Sequence, residues 1–359
     1  MNFLAKTNFY LKKPRIIIIT GNGSFLATEA IFKLLSNKLK VRKILDQDLP
    51  LVDKDEVLVC ETKIGESNFF DFLMKNSSSP ILLVTHLGEI SQERDSIFSD
   101  QKELEEILKF IKNISNKCQL VLNSDDETLK DIKNYTNLKI TNFGFQAGSD
   151  FQASDIKINH GTTFKLNYQG NSVPIWLDYL FGKEQIYAAL AAISIGAIFN
   201  LNLVEISQAL KSYKGISGKM RLIKGIKNSL ILDDSESATL LSMQEALDIL
   251  GKIETEGKRF AVLGDILGLA EYTIQSHESL GEKVIKSADM LFTVGLRAKF
   301  IAEGAINKGM KKENIFSFNT PKEAGISLQN EIKEGDLILI DGSKELEMEK
   351  IIKEIQLIQ

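Results

Sequence analysis

Proline, cysteine and long apolar runs are all scarce in this sequence, and each scarcity excludes something. Two cysteines in 359 residues, Cys60 and Cys118, cannot build a multi-disulfide framework or a four-ligand zinc site. Each borders an apolar run, so both read as buried free thiols in a reducing compartment. No stretch approaches the roughly 18 consecutive apolar residues of a membrane span. The N-terminal MNFLAKTNFYLKKPRIIIIT has only a short apolar run and no small-residue cleavage pattern after it, so it reads as a helix leading into a strand rather than a targeting signal. The expected location is the cytoplasm. An excess of one charge is also lacking: 44 Lys+Arg against 48 Asp+Glu give a net charge of -4 and a pI near 5.7. That balance excludes a general nucleic-acid or anionic-membrane surface, and like-charge clusters such as Lys311-Lys312 are too short to reverse it. What remains, 43% apolar and 26% charged with five prolines against 24 glycines, is a globular chain long enough for more than one core. It carries no repeat and no low-complexity tract.

From residue 14 to about residue 141, short β-branched runs alternate with helix-length amphipathic segments. Strands are expected at Ile16–Thr20, Val57–Cys60, Ile81–Thr85, Leu120–Asn123 and Leu138–Thr141. Helices are expected between them, at Thr28–Lys38, Glu66–Lys75, Asp100–Ile114 and Glu127–Tyr135. This is the pattern of a doubly wound, mostly parallel α/β sheet. The rhythm then changes to Phe151–Ile158, Phe164–Tyr168 and Val173–Leu177, joined by the tight turns Asn159-His160-Gly161 and Gln169-Gly170-Asn171, as antiparallel strands require. Helices follow at Gln185–Phe199 and Leu203–Tyr213. The break Gly215-Ile216-Ser217-Gly218 then marks a domain boundary. Beyond it Arg221–Ile226 and Ser229–Leu232 form a hairpin around Lys227-Asn228, and alternation resumes with strands Phe260–Leu263, Leu291–Val294 and Leu337–Ile340. A second, smaller Rossmann-like α/β domain is expected there. The expected organisation is thus a helical lead-in over 1–13, a central domain over 14–217 and a C-terminal domain over 218–359.

In such a chain the turn after the first strand presents backbone amides and a helix N-terminus to an anion. Here it reads Thr20-Gly21-Asn22-Gly23-Ser24-Phe25. A GxxxxGK(S/T) phosphate loop needs glycines for close approach, a lysine for the β and γ phosphates and a hydroxyl for magnesium. The glycines are present and the lysine is absent. On these residues alone a tight turn and a nucleotide site are both open.

Several longer segments resemble one family, the Mur ligases, ATP-dependent enzymes that join amino acids to a UDP-MurNAc carboxylate. They are FGKEQIYAALAAISIGAIFNLNLVEISQAL (181–210), RLIKGIKNSLILDDS (221–235), RFAVLGDILGLAEYTIQSH (259–277) and DLILIDGSKELEMEKII (336–352). Upstream, VLNSDDE (121–127), FGFQAGSDFQASDIK (143–157) and GTTFKLNYQGNSVPIWL (161–177) resemble the end of the family's central ATPase domain. The branch most resembled adds D-alanyl-D-alanine to a UDP-MurNAc tripeptide. Only the stretch before the first strand precedes the ATPase-like domain, so the family's N-terminal uridine-nucleotide domain is expected to be missing.

The resemblance implies site residues and departures from them. TGNGSFLAT fits the family's TGxxGKTxT with one residue deleted, placing Gly21, Asn22 and Gly23 in the loop, Ser24 where the lysine belongs and Phe25 at the magnesium-binding hydroxyl. Losing a group that stabilises phosphoryl-transfer charge costs on the order of 10³ in rate. Glu61, at the end of a strand, falls where the family binds magnesium. Lys102 resembles the lysine that the family carbamylates to hold a second magnesium, and equally reads as a solvated lysine of the charged face QKELEE. His86 sits near the family's asparagine and histidine positions, with Ser91 where the histidine should fall; a lone histidine at a strand end is more often hydrogen-bonded or at the surface. Gln185-Ile186 replaces a His-Asn pair near the adenine; Gln185 could still donate there, or simply start its helix. Lys219 stands at the arginine of Gly-Arg-Met and keeps the charge without the fork. Asp234 is retained to contact ribose or a metal-bound water, while Glu236, Ser237 and Leu240 replace the tyrosine, asparagine and proline after it. Asp341-Gly342-Ser343-Lys344 replaces a Lys-Gly-Ser-Arg or Lys-Gly-Ser-Gln pattern. GDILGLAEY, with Gly264, Asp265, Leu269, Glu271 and Tyr272, is better preserved and either packs its domain or faces substrate.

ATP and magnesium are the implied cofactors, and a UDP-MurNAc-peptide precursor or a cell-wall ligase the implied partner. The expectation is a protein of the D-alanyl-D-alanine-adding type with an eroded nucleotide site and weak or lost activity. A non-catalytic partner of a genuine ligase and an active ligase for a different acceptor are the alternatives.

Overall fold

The computed structural model describes residues 3–45, 48–63, 68–87, 97–114, 117–236 and 238–357, and omits the side chains of 97–103 and 113. The chain divides into two compact units. The first comprises Met1–Ile156, Thr163–Leu177 and Lys183–Tyr213; the second comprises Lys157–Thr162, Asp178–Gly182 and Lys214–Gln359.

The first unit runs α1 (Phe3–Lys12), β1 (Arg15–Thr20), α2 (Ser24–Leu35), β2 (Val41–Ile44), β3 (Val57–Glu61), α3 (Asn68–Asn76), β4 (Pro80–Val84), α4 (Ile97–Asn113), β5 (Gln119–Asn123) and β6 (Lys139–Gly144). It continues through β7 (Phe151–Ile158), β8 (Gly161–Tyr168), β9 (Asn171–Asp178), α5 (Lys183–Ile198) and α6 (Leu203–Lys211). The sheet order is β2-β3-β1-β4-β5-β6-β7-β8-β9, with β1 paired in parallel to both β3 and β4. Ile16 to Ile19 of β1 are all fully buried, because a parallel strand in the middle of such a sheet is covered on both faces. Ile16 and Ile18 share a core with Phe9 of α1, Phe69 and Leu73 of α3, and Ile107 and Ile111 of α4. Alternation turns Ile17 and Ile19 to the opposite face, where α2 packs on α5. The alanine-rich α5 is buried almost all round, as a helix without a polar face must be. The two-residue turns before β8 and β9 make β7, β8 and β9 antiparallel.

The second unit contains β10 (Arg221–Lys224), β11 (Leu230–Asp234), α7 (Leu240–Lys252), β12 (Arg259–Gly264), α8 (Thr273–Ser287), β13 (Met290–Val294) and α9 (Lys299–Asn307). It closes with β14 (Ile315–Phe318), α10 (Pro321–Glu331), β15 (Leu337–Asp341) and α11 (Glu349–Ile355). Its sheet order is β10-β11-β15-β12-β13-β14, parallel apart from the antiparallel edge strand β10. α7, α8 and α9 cover one face, α10 and α11 the other. α8 and α9 approach backbone to backbone: a Cβ on Gly281 would lie 2.2 Å from the Ile301 carbonyl oxygen, and one on Gly304 would lie 2.3 Å from that of Glu278.

The expected α/β class and doubly wound order are what is seen. The differences are local. Glu127–Tyr135 is a short 3-10 helix over Lys130–Asn134, because the Asp126 carboxylate takes the amides of Thr128 and Leu129 and holds the segment as a turn. α2 begins at Ser24, four residues earlier than its apolar periodicity suggests. The edge strands β2 and β14 were not expected; their half-buried patterns lack the apolar run that marked the others. Both cysteines are buried and free, and burial pushes each thiol up to about 12. Among the described residues, no helix is long and apolar enough to cross a membrane.

Candidate functional site

The strands of the first unit deliver polar residues to their carboxyl ends, where an open α/β sheet forms its ligand crevice. After β1 the chain turns through Gly21 (φ 98°) and Gly23 (φ 78°) into α2. Gly21 is required twice over: its conformation is left-handed, and a Cβ there would lie 2.4 Å from the His86 carbonyl oxygen. The loop is held by its neighbour β4. Asn22 N donates to His86 O at 2.7 Å, and Thr85 Oγ1 lies within hydrogen-bond distance of the carbonyls of Thr20 (3.0 Å) and Asn22 (2.7 Å). Ser24 N donates back to Gly21 O at 3.1 Å.

Ser24 Oγ donates to Glu61 Oε1 at 2.6 Å, so the residue at the lysine position and the expected magnesium ligand meet across the ends of β1 and β3. His86 Nδ1 lies 3.1 Å from Asp126 Oδ2, and Asp126 also accepts from the amides of Leu87 (2.7 Å) and Thr128 (2.8 Å). His86 is therefore an oriented, carboxylate-backed imidazole beside the loop rather than a stray surface histidine. A shallow pocket is lined by Asn22, Gly23, Thr85, His86, Asn123, Glu184, Tyr187 and Ala188. Asn123 accepts from Asp125 N at 3.0 Å while its buried Nδ2 has no hydrogen-bond partner. Asp125 in turn receives Phe145 N (2.6 Å), Gln146 N (3.0 Å) and Tyr187 Oη (3.1 Å).

Of the residues expected in the first unit, Gly21, Asn22, Gly23, Ser24 and Glu61 are brought together. Gln185 is buried in the first turn of α5, and the pocket is lined instead by its neighbours Glu184, Tyr187 and Ala188. Lys102 lies on α4, but its side chain is outside the described residues, as are Ser91 and Ser237. Asn123, Asp125, Asp126 and Tyr187 were missed as site residues. The signal was available: Asn123-Ser124-Asp125-Asp126 is a polar cluster at a strand's carboxyl end, the same position that singled out Gly21 and Glu61.

In the second unit Lys219 and Asp234 both lie close enough to Asp341 to act on its charge, around the ends of β11 and β15. Asp233 Oδ2 accepts Gly218 N at 2.7 Å and Asp234 Oδ1 accepts Met220 N at 3.2 Å, which fastens the glycine break to the sheet. Asp341, in register with Asp234 on the next strand, is fully buried; its oxygens have no well-formed hydrogen bond, and the Gly342 amide lies near enough to favour its charged form. Burial, and then the charge of Asp234, raise its carboxyl well above the usual carboxylate range, against the opposing pull of Lys219. Glu236 pairs with Lys344 at 2.9 Å. Asp265 of GDILGLAEY accepts the amides of Arg297 (2.9 Å) and Ala298 (2.7 Å), capping the turn into α9. Further along, His277 Nε2 accepts Ile266 N at 3.1 Å and Nδ1 donates to Thr273 O at 2.6 Å. That fixes a neutral tautomer, and burial lowers its pKa. Among the described residues no three His, Cys, Asp or Glu side chains are grouped to hold a metal.

A doubly wound sheet with a glycine turn after its first strand, followed by a second Rossmann-like unit, is the architecture of the Mur ligase family, and the chain belongs to it. Residues 87–196 match the Mur ligase middle domain, and residues 218–344 match the "Mur ligase, glutamate ligase domain". Within the family, the chain is similar to the UDP-N-acetylmuramoyl-tripeptide--D-alanyl-D-alanine ligase of Bacillus subtilis. The two are 26% identical over 98% of this chain and 78% of the relative. The fold superposes on MurF from Acinetobacter baumannii with a TM-score of 0.79 at 19% identity, covering 98% of this chain and 78% of that one. It also superposes on MurF from Thermotoga maritima in complex with ADP, with a TM-score of 0.75 at 22% identity over 98% and 81% of the two chains.

Proposed function

We propose that this chain is a Mur-ligase-like protein of peptidoglycan precursor synthesis, of the D-alanyl-D-alanine-adding type, whose nucleotide site is eroded and whose ligase turnover is weak or absent. The observation that carries this reading is the Ser24 to Glu61 hydrogen bond of 2.6 Å. A neutral hydroxyl occupies the lysine's place and engages the carboxylate that would bind magnesium.

ATP and magnesium fit this frame poorly. Amides of a phosphate loop point at the ligand, yet Asn22 N and Ser24 N are already spent on His86 O and Gly21 O. Among the described residues, the pocket beside the loop is lined by Glu184 and by no lysine or arginine. Glu61 belongs to no three-ligand group among the described residues. What the chain's own residues provide is a recognition frame: the Gly21 turn, the Asp126-backed His86, and Asn123 with its unpartnered amide in the lining of the pocket. A UDP-MurNAc peptide is the precursor class that the similarity to the Bacillus subtilis ligase suggests for such a frame.

Calorimetry of the chain with ATP, with and without magnesium, tests the reading alongside an amide-ligase assay. No magnesium-dependent binding and no turnover are expected. Ser24→Lys should raise nucleotide affinity by about tenfold to a hundredfold, the worth of one charge-assisted hydrogen bond to phosphate. Micromolar magnesium-dependent binding with turnover in the unaltered chain would overturn the proposal.

A further inference from the structure

An acid is enclosed at the carboxyl end of β15. Asp341 is fully buried, and neither of its oxygens has a well-formed hydrogen bond. Strand alternation turns it to the side of Leu337 and Leu339, the face covered by α7, with α10 and α11 on the opposite face. Its partner in register on β11 is a second acid, Asp234, and on β12 it is Leu263. Among the charged groups of the neighbouring elements, Asp234 and Lys219 act on it, the acid holding its proton on and the cation pulling it off. The others are engaged elsewhere. Asp265, after β12, takes the amides of Arg297 and Ala298; Lys344, after β15, pairs with Glu236; on α7, Asp248 pairs with Lys283 and Glu245 lies by Gly182. A carboxyl so placed costs far less to bury with its proton than without it.

The same strand ends fasten a strained segment, Lys214 to Met220, which opens the last stretch of the second unit. Asp233 Oδ2 accepts Gly218 N at 2.7 Å, Asp234 Oδ1 accepts Met220 N at 3.2 Å, and Gly218 O accepts Glu236 N at 3.2 Å. Arg221, opposite Asp233 on β10, adds a bond to Ser217 Oγ at 2.9 Å. Lys219 stands between the two fastened amides. The backbone is left-handed at Gly215 (φ 65°), Gly218 (φ 75°) and Met220 (φ 47°). Met220 carries a side chain in that region, a cost that its surroundings must offset. Gly218 is pressed against its neighbour, since a Cβ on it would lie 2.1 Å from Glu236 Cγ. The segment is held under strain, and one of the groups holding it is the carboxylate next to Asp341.

We propose that Asp341 is a proton-operated latch on this segment: protonated, it lets Asp234 keep the Met220 amide, and ionised, it drives the segment off the end of β11. Two carboxylates side by side in a buried place repel each other. An ionised Asp341 also needs more donors than the Gly342 amide beside it can supply. Opening the segment meets both demands, because Asp234 can turn away, water can reach the two acids, and Lys219 can turn toward the new charge. The Met220 bond, the longer of the two amide bonds to the aspartates, yields first and releases the left-handed backbone with it. The direction in pH follows from the raised carboxyl. The closed form is complete below the ordinary value of 3.8 and is lost as pH rises through the folded value.

Hydrogen exchange of the full chain, followed as protection factors from acid to alkaline pH with and without low urea, tests this. Protection of the Gly218 and Met220 amides is expected to fall by about tenfold per pH unit while opening releases one proton. That exchange should be insensitive to urea, as a local opening is, whereas the Val262 and Phe292 amides of β12 and β13 should exchange faster as urea is added. Asp341→Asn should abolish the fall. Lys219→Met, which removes the cation that favours the charged form, should move the fall to higher pH. The proposal is overturned if protection of Gly218 and Met220 does not change with pH, if it follows Val262 and Phe292 in both pH and urea dependence, if the Asn variant keeps the fall, or if the Met variant leaves its position unchanged.

Discussion

The two strand-end sites solve the same problem in opposite ways. Around β1 the first unit satisfies its polar groups locally: Ser24 bonds Glu61, Asn22 N bonds His86 O, and Asp126 collects His86 and two amides. Around β15 the second unit leaves a fully buried carboxyl, Asp341, without a well-formed hydrogen bond and with Asp234 beside it. Polar groups at a strand end that bond to one another leave little cost behind. A buried acid with poor partners stores an electrostatic cost instead. The contrast places the internally satisfied groups in the loop of the first unit and a pH-sensitive carboxyl in the second.

Substitutions can break or sharpen that contrast. The largest effect is expected from Gly21→Ala, which forces a left-handed Cβ against the His86 carbonyl and should cost about 2–5 kcal/mol in denaturant unfolding. A cost under about 0.5 kcal/mol would show that the loop is not held as described. His277→Ala should cost about 2–4 kcal/mol by leaving Ile266 N and Thr273 O unpaired. Because burial lowers the folded pKa of His277 below 6.5, its contribution is complete above that value and is lost as pH falls through the folded pKa. The acid limb of the stability curve should therefore be shallower in the variant.

Asp341→Asn acts with the opposite sign. The raised carboxyl keeps its proton in the folded chain, so its contribution is complete below the unfolded value of 3.8 and is lost as pH rises through the folded pKa. The variant should thus be more stable than the parent in denaturant unfolding at alkaline pH, with little difference near pH 4. A parent chain whose stability does not fall with pH in this range would remove the contrast. The smallest effect is expected from Ser24→Ala, within about 1 kcal/mol, since its partner Glu61 is exposed and water can replace the hydroxyl.

The strands around β1 were legible in the sequence because burial on both faces demands continuous β-branched runs such as Ile16 to Ile19. Edge strands obey no such demand, which is why Val41–Ile44 and Ile315–Phe318 left no clear trace. The glycine turn, Ser24 and Glu61 were legible from their positions after strands. His86 was discounted because its meaning depends on Asp126, forty residues away and made a neighbour only by the parallel pairing of β4 with β5. Asp341 appeared as a change of charge in a motif, but its complete burial beside Asp234 is a property of packing, and no sequence pattern records it.

The close passage of α8 and α9 also constrains how this chain can diverge. Gly281 meets the backbone of α9 and Gly304 meets the backbone of α8. Neither glycine's obstacle is a side chain that another mutation could shorten. A gain of even one methyl group at either position has no compensating substitution on the facing helix, so both positions should stay glycine whatever changes around them.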